Sequence, residues 1–156
     1  MSWWSRLIGG RSDAELKPQR LDYLSEALVL ERQGDFDAAL TSYRLALRDK
    51  PDDHRVLMNM AIAYSRLSRP LEAERCYRRV LEVKPEHPGA HYGLGFLLVR
   101  RSDRSGAEQH LAAFVNAPGK GAEEAHVAHA SRALAQLRSP APSTDEPGDE
   151  TAHTEV

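Results

Sequence analysis

The sequence predicts an all-α protein made of three helix–turn–helix units followed by a closing helix. Small and large apolar residues recur every 34 residues, and each repeat holds two stretches with apolar residues at i, i+3, i+4 and i+7. Nothing in this region alternates apolar and polar residues as a strand does. A fixed period of this length is typical of a solenoid, in which each unit covers the apolar face of its neighbour.

Six columns of residues keep the 34-residue register. They are Ala39/Ala73/Ala107, Tyr43/Tyr77/Leu111, Ala46/Val80/Phe114, Ala27/Ala61/Gly95, Leu30/Tyr64/Leu98 and Pro51/Pro85. In the second unit, Pro70 suits the first turn of a helix, because its missing N–H would have no partner there. Pro85 disfavours the helical conformation at the residue before it and so ends the same helix.

The pattern resembles the tetratricopeptide repeat family. The residues that carry the resemblance are QGDFDAALTSYRLALRDKPDD (33–53), SRPLEAERCYRRVLEVKPEH (68–87) and YGLGFLL (92–98). It implies a right-handed α-solenoid with repeats at 20–53, 54–87 and 88–118. Two departures fall at the turns, where Ser68 and Ser102 replace the usual glycine, and a third is Glu26 at an ordinarily apolar position.

The rest of the chain is predicted to flank this repeat domain, which spans 20–138. A capping helix over 122–138 would close the last repeat with Ala125, Ala128, Leu134 and Leu137. Residues 1–19 are expected to form a flexible leader. Residues 139–156 hold five acidic residues, three prolines and no lysine or arginine, a composition typical of a disordered tail.

The resemblance also implies a concave groove lined by the first helix of each unit, which would bind a peptide or helix of a partner protein. The predicted groove residues are Leu21, Leu24, Leu28, Arg55, Met58, Asn59, Ile62, Tyr92 and Phe96. Soluble monomers seldom expose such an apolar stripe. The alternative interpretation is that the leader or a second copy of the chain covers this stripe. In the second case the protein would be a homo-oligomer. The resulting function is that of a non-enzymatic scaffold or adaptor.

Three arginines, Arg32, Arg66 and Arg100, recur at the same 34-residue spacing at the predicted groove edge. They could bind carboxylates in a bidentate manner, or simply favour the helix dipole at the end of each first helix. Some family members clamp the C-terminal carboxylate of chaperones with polar groove residues. Here only Asn59 matches that pattern, so we expect no such clamp.

The leader begins MSWWSRLIGG, in which Trp3, Trp4 and Arg6 could contact a membrane interface or a partner. This supports an alternative function as a peripheral membrane assembly factor. The leader could equally fold onto the first repeat. The expected location is the cytoplasm, and the alternative is attachment to the inner face of a membrane.

No arrangement of residues indicates catalysis, a metal site or a cofactor. The lone Cys76 has no assignable base, and the histidine pairs His87/His91 and His126/His129 are interpreted as packing or surface residues. The net charge of −2 gives no general indication of nucleic-acid binding. The basic cluster Arg75, Arg78 and Arg79 is interpreted as a solvated helix face.

Overall fold

The computed structural model describes residues 22–139, which form seven α-helices and no strand. The helices are α1 (Tyr23–Arg32), α2 (Phe36–Asp49), α3 (His54–Arg66), α4 (Pro70–Val83), α5 (Pro88–Arg100), α6 (Arg104–Asn116) and α7 (Glu124–Arg138). They form two compact units that divide between Val83 and Lys84, with α1–α4 in the first and α5–α7 in the second.

Side chains just before the helices fix where most of them begin. The carboxylates of Asp22, Asp35, Asp53 and Asp103 each accept a hydrogen bond from a backbone N–H in the first turn of the next helix. His87 does the same for α5 through its Nδ1 atom. Each cap satisfies an N–H group that the helix itself leaves without a partner.

The turns inside the three helix pairs share one backbone conformation. Gly34, Ser68 and Ser102 occupy equivalent positions 34 residues apart and have φ values of 81°, 56° and 60°. These values lie in the left-handed region, which glycine enters at little cost and serine does not. The two serines that replace glycine in the repeat pattern therefore keep the turn and carry its backbone strain.

In the first unit, part of the core is built from the predicted repeat columns. α1 packs on α2, α2 on α3 and α3 on α4. Four alanines, Ala27, Ala39, Ala61 and Ala73, have no exposed surface, and their small size lets neighbouring helices approach closely. Larger side chains fill the remaining core, namely Leu40, Tyr43, Val56, Leu57, Met60, Tyr64, Tyr77 and Val80.

In the second unit, α5 packs on α6 and α6 packs on α7. Gly95 follows the same alanine column, and a Cβ atom placed there would lie 2.7 Å from Leu111 Cδ2. The close approach of α5 to α6 therefore requires glycine at this position.

The predicted buried face of α7 is only partly correct. Leu134 is buried and Leu137 is half-buried, but Ala125 and Ala128 are exposed. Ala130 takes their place and joins Leu134 in a cluster with Leu111 and Phe114 of α6. At 100° of rotation per residue, Ala125 lies about 140° around the helix from Ala130, so the two cannot face the same neighbour.

Candidate partner-binding site

Two depressions in the first unit bring most of the predicted groove residues together. The Asp53 depression, about 340 Å³ in volume, is lined by Asp22, Tyr23, Leu24, Ala46, Asp49, Lys50, Asp53, Arg55 and Val56. The Arg66 depression, about 330 Å³ in volume, is lined by Leu28, Glu31, Arg32, Phe36, Asn59, Ile62 and Arg66.

These linings fix the arrangement of the two first helices of this unit. The Asp53 depression takes residues from the starts of α1 and α3, and the Arg66 depression takes residues from their later turns. The two helices therefore lie side by side and run in the same direction. Leu24 lies with Arg55 at one end of this face, and Leu28 lies with Ile62 at the other.

The apolar side chains of this face are only partly covered. Leu24, Leu28, Met58 and Ile62 are all half-buried, and so is the polar Asn59. A half-buried aliphatic side chain still loses water contact when a ligand packs on it, which favours binding. Arg55 is exposed and its guanidinium pairs with Asp53 at 3.3 Å.

Two of the three predicted edge arginines line one depression. Arg32 and Arg66 are exposed in the Arg66 depression. Within residues 22–139, neither guanidinium group makes a hydrogen bond or an ion pair. By contrast, Arg69 pairs with Glu72 in the same unit. Arg100 is exposed at the end of α5, in the second unit.

Sequence reasoning places Glu31 at the polar fringe of the groove but missed Phe36, which lines the same depression. Glu31 accepts a hydrogen bond of 2.5 Å from the Tyr43 hydroxyl. Burial raises the pKa of Tyr43 well above its usual range, with a further rise from the Glu31 carboxylate and a smaller opposing effect of Asn59. The hydrogen bond between Tyr43 and a carboxylate was not predicted, because Ser65 and Val99 stand at the positions equivalent to Glu31.

In the second unit, the predicted groove residues Tyr92 and Phe96 contact histidines of α7. The Phe96 ring stacks on His129 with a centroid distance of 4.3 Å, and the Tyr92 ring meets His126 at 5.2 Å. The Tyr92 hydroxyl also lies 3.0 Å from His129 Nδ1. Burial raises the pKa of Tyr92. The closing helix thus covers part of this aromatic surface, whereas the sequence analysis placed both residues in an open groove.

The remaining candidate residues are four that lie outside residues 22–139, the Cys76 thiol and the possible metal ligands. Leu21, Trp3, Trp4 and Arg6 lie outside the described residues. Burial raises the pKa of the Cys76 thiol to about 11, so the nucleophilic thiolate is scarce at neutral pH. No group of three or more His, Cys, Asp or Glu residues within 22–139 is placed to hold a metal ion.

The basic cluster on α4 is largely neutralised by neighbouring acids. Arg78 pairs with Glu74, and Arg79 pairs with both Asp52 and Glu82. Arg75 is exposed. Such internally paired charges attract a polyanion less strongly than unpaired ones.

None of the seven helices described for residues 22–139 combines the length and the apolar character that crossing a bilayer requires.

Comparison with known proteins places the fold in a family. Tetratricopeptide repeat models match residues 21–63 and 58–123. Photosystem I assembly protein Ycf3 of Synechococcus sp. (strain CC9605) is 30% identical over 95 residues, which are 58% of this chain and 55% of that protein. The match thus spans about half of that relative's length.

Two solved structures support the same conclusion. The Sgt2 TPR domain from Aspergillus fumigatus superposes with a TM-score of 0.63 at 22% identity, covering 82% of this chain and 89% of that one. PcrH, solved in complex with the chaperone binding region of PopD, superposes with a TM-score of 0.67 at 18% identity, covering 83% and 96%. The predicted all-α repeat fold is confirmed.

Proposed function

Because this chain belongs to the tetratricopeptide repeat family, we propose that the face formed by α1 and α3 binds a peptide or helix of a partner protein. The protein then acts as a scaffold or adaptor, without catalysis and without a cofactor. The observation that carries this proposal is a set of half-buried apolar side chains on α1 and α3: Leu24 lines the Asp53 depression, Leu28 and Ile62 line the Arg66 depression, and Met58 lies on α3 one turn before Ile62.

The shape and chemistry of this face suit a short segment of another protein. Residues 24 and 32 of α1 are eight positions apart, so the face is about 12 Å long at 1.5 Å per residue. That length accommodates about four residues of extended chain or two turns of a helix. A helix-in-groove or extended-peptide mode uses spaced apolar anchors of this kind.

The compared proteins support a role in holding other proteins. PcrH was solved with the chaperone binding region of PopD, and Ycf3 is named for photosystem I assembly. In the second unit, Tyr92 and Phe96 remain proposed contacts, and a ligand there would have to pack beside His126 and His129.

A matched pair of substitutions tests the proposal. Met58→Glu places a charge among the aliphatic side chains of the proposed site, while Leu71→Glu places the same charge on α4, where Leu71 is 54% exposed. We expect partners purified with the intact chain to be lost from Met58→Glu and kept by Leu71→Glu. Equal recovery with both variants would refute the site, once circular dichroism shows that both are folded.

A second function, as a peripheral membrane assembly factor, is favoured by the likeness to an assembly protein together with the leader residues Trp3, Trp4 and Arg6. In this proposal a cytoplasmic protein attaches to the inner face of a membrane, with indole rings at headgroup depth. The intact chain should pellet with anionic vesicles, and a Trp3→Ala/Trp4→Ala variant should not. Equal pelleting of the two would remove this candidate.

A homo-oligomer would use the same apolar face and can be separated from partner binding. If a second copy covers Met58, the wild-type chain should sediment as a dimer and Met58→Glu as a monomer. A wild-type monomer leaves the face available to a different protein.

A further inference from the structure

We infer that the Arg66 depression recognises acidic side chains in an internal segment of the partner, next to an aliphatic residue of the same segment. The inference rests on the proposed function, since it names the chemistry of the ligand for that site. It concerns the guanidinium groups of Arg32 and Arg66 and the apolar side chains that line the same depression.

The depression has an excess of unpaired positive charge. It contains two arginines and one carboxylate, Glu31, which already accepts the Tyr43 hydroxyl hydrogen bond. Neither arginine bonds to another residue within 22–139, so their N–H donors remain available. A guanidinium presents these donors in a planar fork that matches a carboxylate in a bidentate manner.

Several other arginines of the same unit are paired, which makes this pair distinct. Arg55 pairs with Asp53, Arg69 with Glu72, and Arg79 with Asp52. Arg48 and Arg75 are also exposed and without an ion pair or hydrogen bond in the described part of the chain, but neither lines a described depression with an apolar floor. The combination of two unpaired arginines and a depression occurs where α1 and α3 end.

The apolar part of the lining sets the second requirement on the ligand. Leu28, Phe36 and Ile62 are half-buried in the same depression as the arginines. An aliphatic side chain packed on them would exclude water, and ion pairs strengthen where water is excluded. A partner segment should therefore carry Asp or Glu directly beside Leu, Ile, Val or Met.

The ligand should be an internal segment rather than a chain terminus. On α1, Leu24, Leu28 and the Glu31 carboxylate offer no hydrogen-bond donor that would favour a terminal carboxylate over a side-chain one. The arginines bind side-chain carboxylates equally well wherever they occur along a chain. The absence of a free C-terminus from the ligand should therefore cost no affinity.

The test selects ligands from a phage-displayed library of random 12-residue internal peptides against the full-length protein. The test variant is Arg32→Gln/Arg66→Gln. The control is Arg48→Gln/Arg75→Gln, which makes the same change in charge, and Arg48 also lies in the last turn of a helix, α2. A peptide from the selection is then synthesised with a C-terminal amide, beside a version in which Gln replaces Glu and Asn replaces Asp.

We expect selected peptides to be enriched in acidic residues next to aliphatic ones. The synthetic peptide should bind about tenfold more weakly to the Arg32→Gln/Arg66→Gln variant, and within about twofold of wild type to the control. The neutral peptide should bind wild type about tenfold more weakly than its parent, and added salt should reduce the difference between them.

Four results would overturn the inference, and they point to different errors. Equal loss in both arginine variants would mean that only net charge matters. Aliphatic peptides without acidic enrichment, still sensitive to Met58→Glu, would refute this inference and leave the proposed function standing, whereas insensitivity to Met58→Glu would refute both. If the peptide binds only after Asp145, Glu146, Asp149 and Glu150 are neutralised in the full chain, the ligand of Arg32 and Arg66 would be the acidic segment of the protein's own chain.

Discussion

The turn serines offer the sharpest test of the repeat geometry, because one glycine and two serines occupy the same left-handed position. A residue with a Cβ atom pays about 1–2 kcal/mol there, and glycine does not. Glycine in turn loses about 0.4–1 kcal/mol more chain entropy on folding. The net gain expected from Ser68→Gly or Ser102→Gly is about 0.5–1 kcal/mol of unfolding free energy, since neither hydroxyl makes a hydrogen bond within residues 22–139.

The reverse change should have the opposite sign. Gly34→Ala should cost about 0.5–1 kcal/mol, and that cost is purely conformational because a Cβ atom at Gly34 would meet nothing within 4 Å. Urea unfolding followed by circular dichroism measures all three variants. Ser131→Gly, inside α7, is the control and should lose about 0.5 kcal/mol. A Ser68→Gly variant that is no more stable than wild type would contradict the proposed strain at this turn.

Three further predictions concern packing, ionisation and ligand type. Gly95→Ala should lower the unfolding free energy by about 1–3 kcal/mol in the same urea assay, because the new methyl group would collide with Leu111; an unchanged value would refute the close helix approach. Burial in the folded state raises the pKa of Cys76 from 9.0 to about 11, so the stability that comes from keeping this thiol protonated is fully present below pH 9 and is lost as the pH rises toward 11. At pH 10 the unfolding free energy of the wild type should therefore have fallen by about 1 kcal/mol relative to that of Cys76→Ala. Parallel plots of unfolding free energy against pH for the two proteins would contradict this. A peptide ending in Met-Glu-Glu-Val-Asp should bind equally as the free acid and the amide by fluorescence anisotropy; a preference for the acid that Asn59→Ala abolishes would reveal a terminal clamp.

The helices and the core were predictable because both follow from local and periodic signals. The alanine column at positions 39, 73 and 107 is completely buried, as the 34-residue register indicates. Pro70 begins α4, where its missing N–H has no cost. The turn positions were also recognisable, since serine stands where the register places glycine. These features depend on residue size and backbone preference, which the sequence states directly.

The details of the site were less predictable because they depend on contacts between non-repeating residues. Glu31 accepts the Tyr43 hydrogen bond, although no acidic residue stands at the equivalent positions of the other repeats, which are Ser65 and Val99. The stacking of His129 on Phe96 depends on how α7 is rotated, and the apolar pattern of α7 was ambiguous because alanines lie on several of its faces. Small side chains carry a weak periodic signal, so they led to the wrong burial for Ala125 and Ala128.

The central claim is that partners bind on the face shared by α1 and α3, and photo-cross-linking tests it most directly. A photoreactive benzoylphenylalanine is placed at Met58 in one sample and at Leu71 in another, and each is irradiated with the amidated peptide selected from the library. Mass spectrometry should identify peptide adducts at position 58 and none at position 71. Adducts at position 71 without any at position 58 would show that the partner uses another surface.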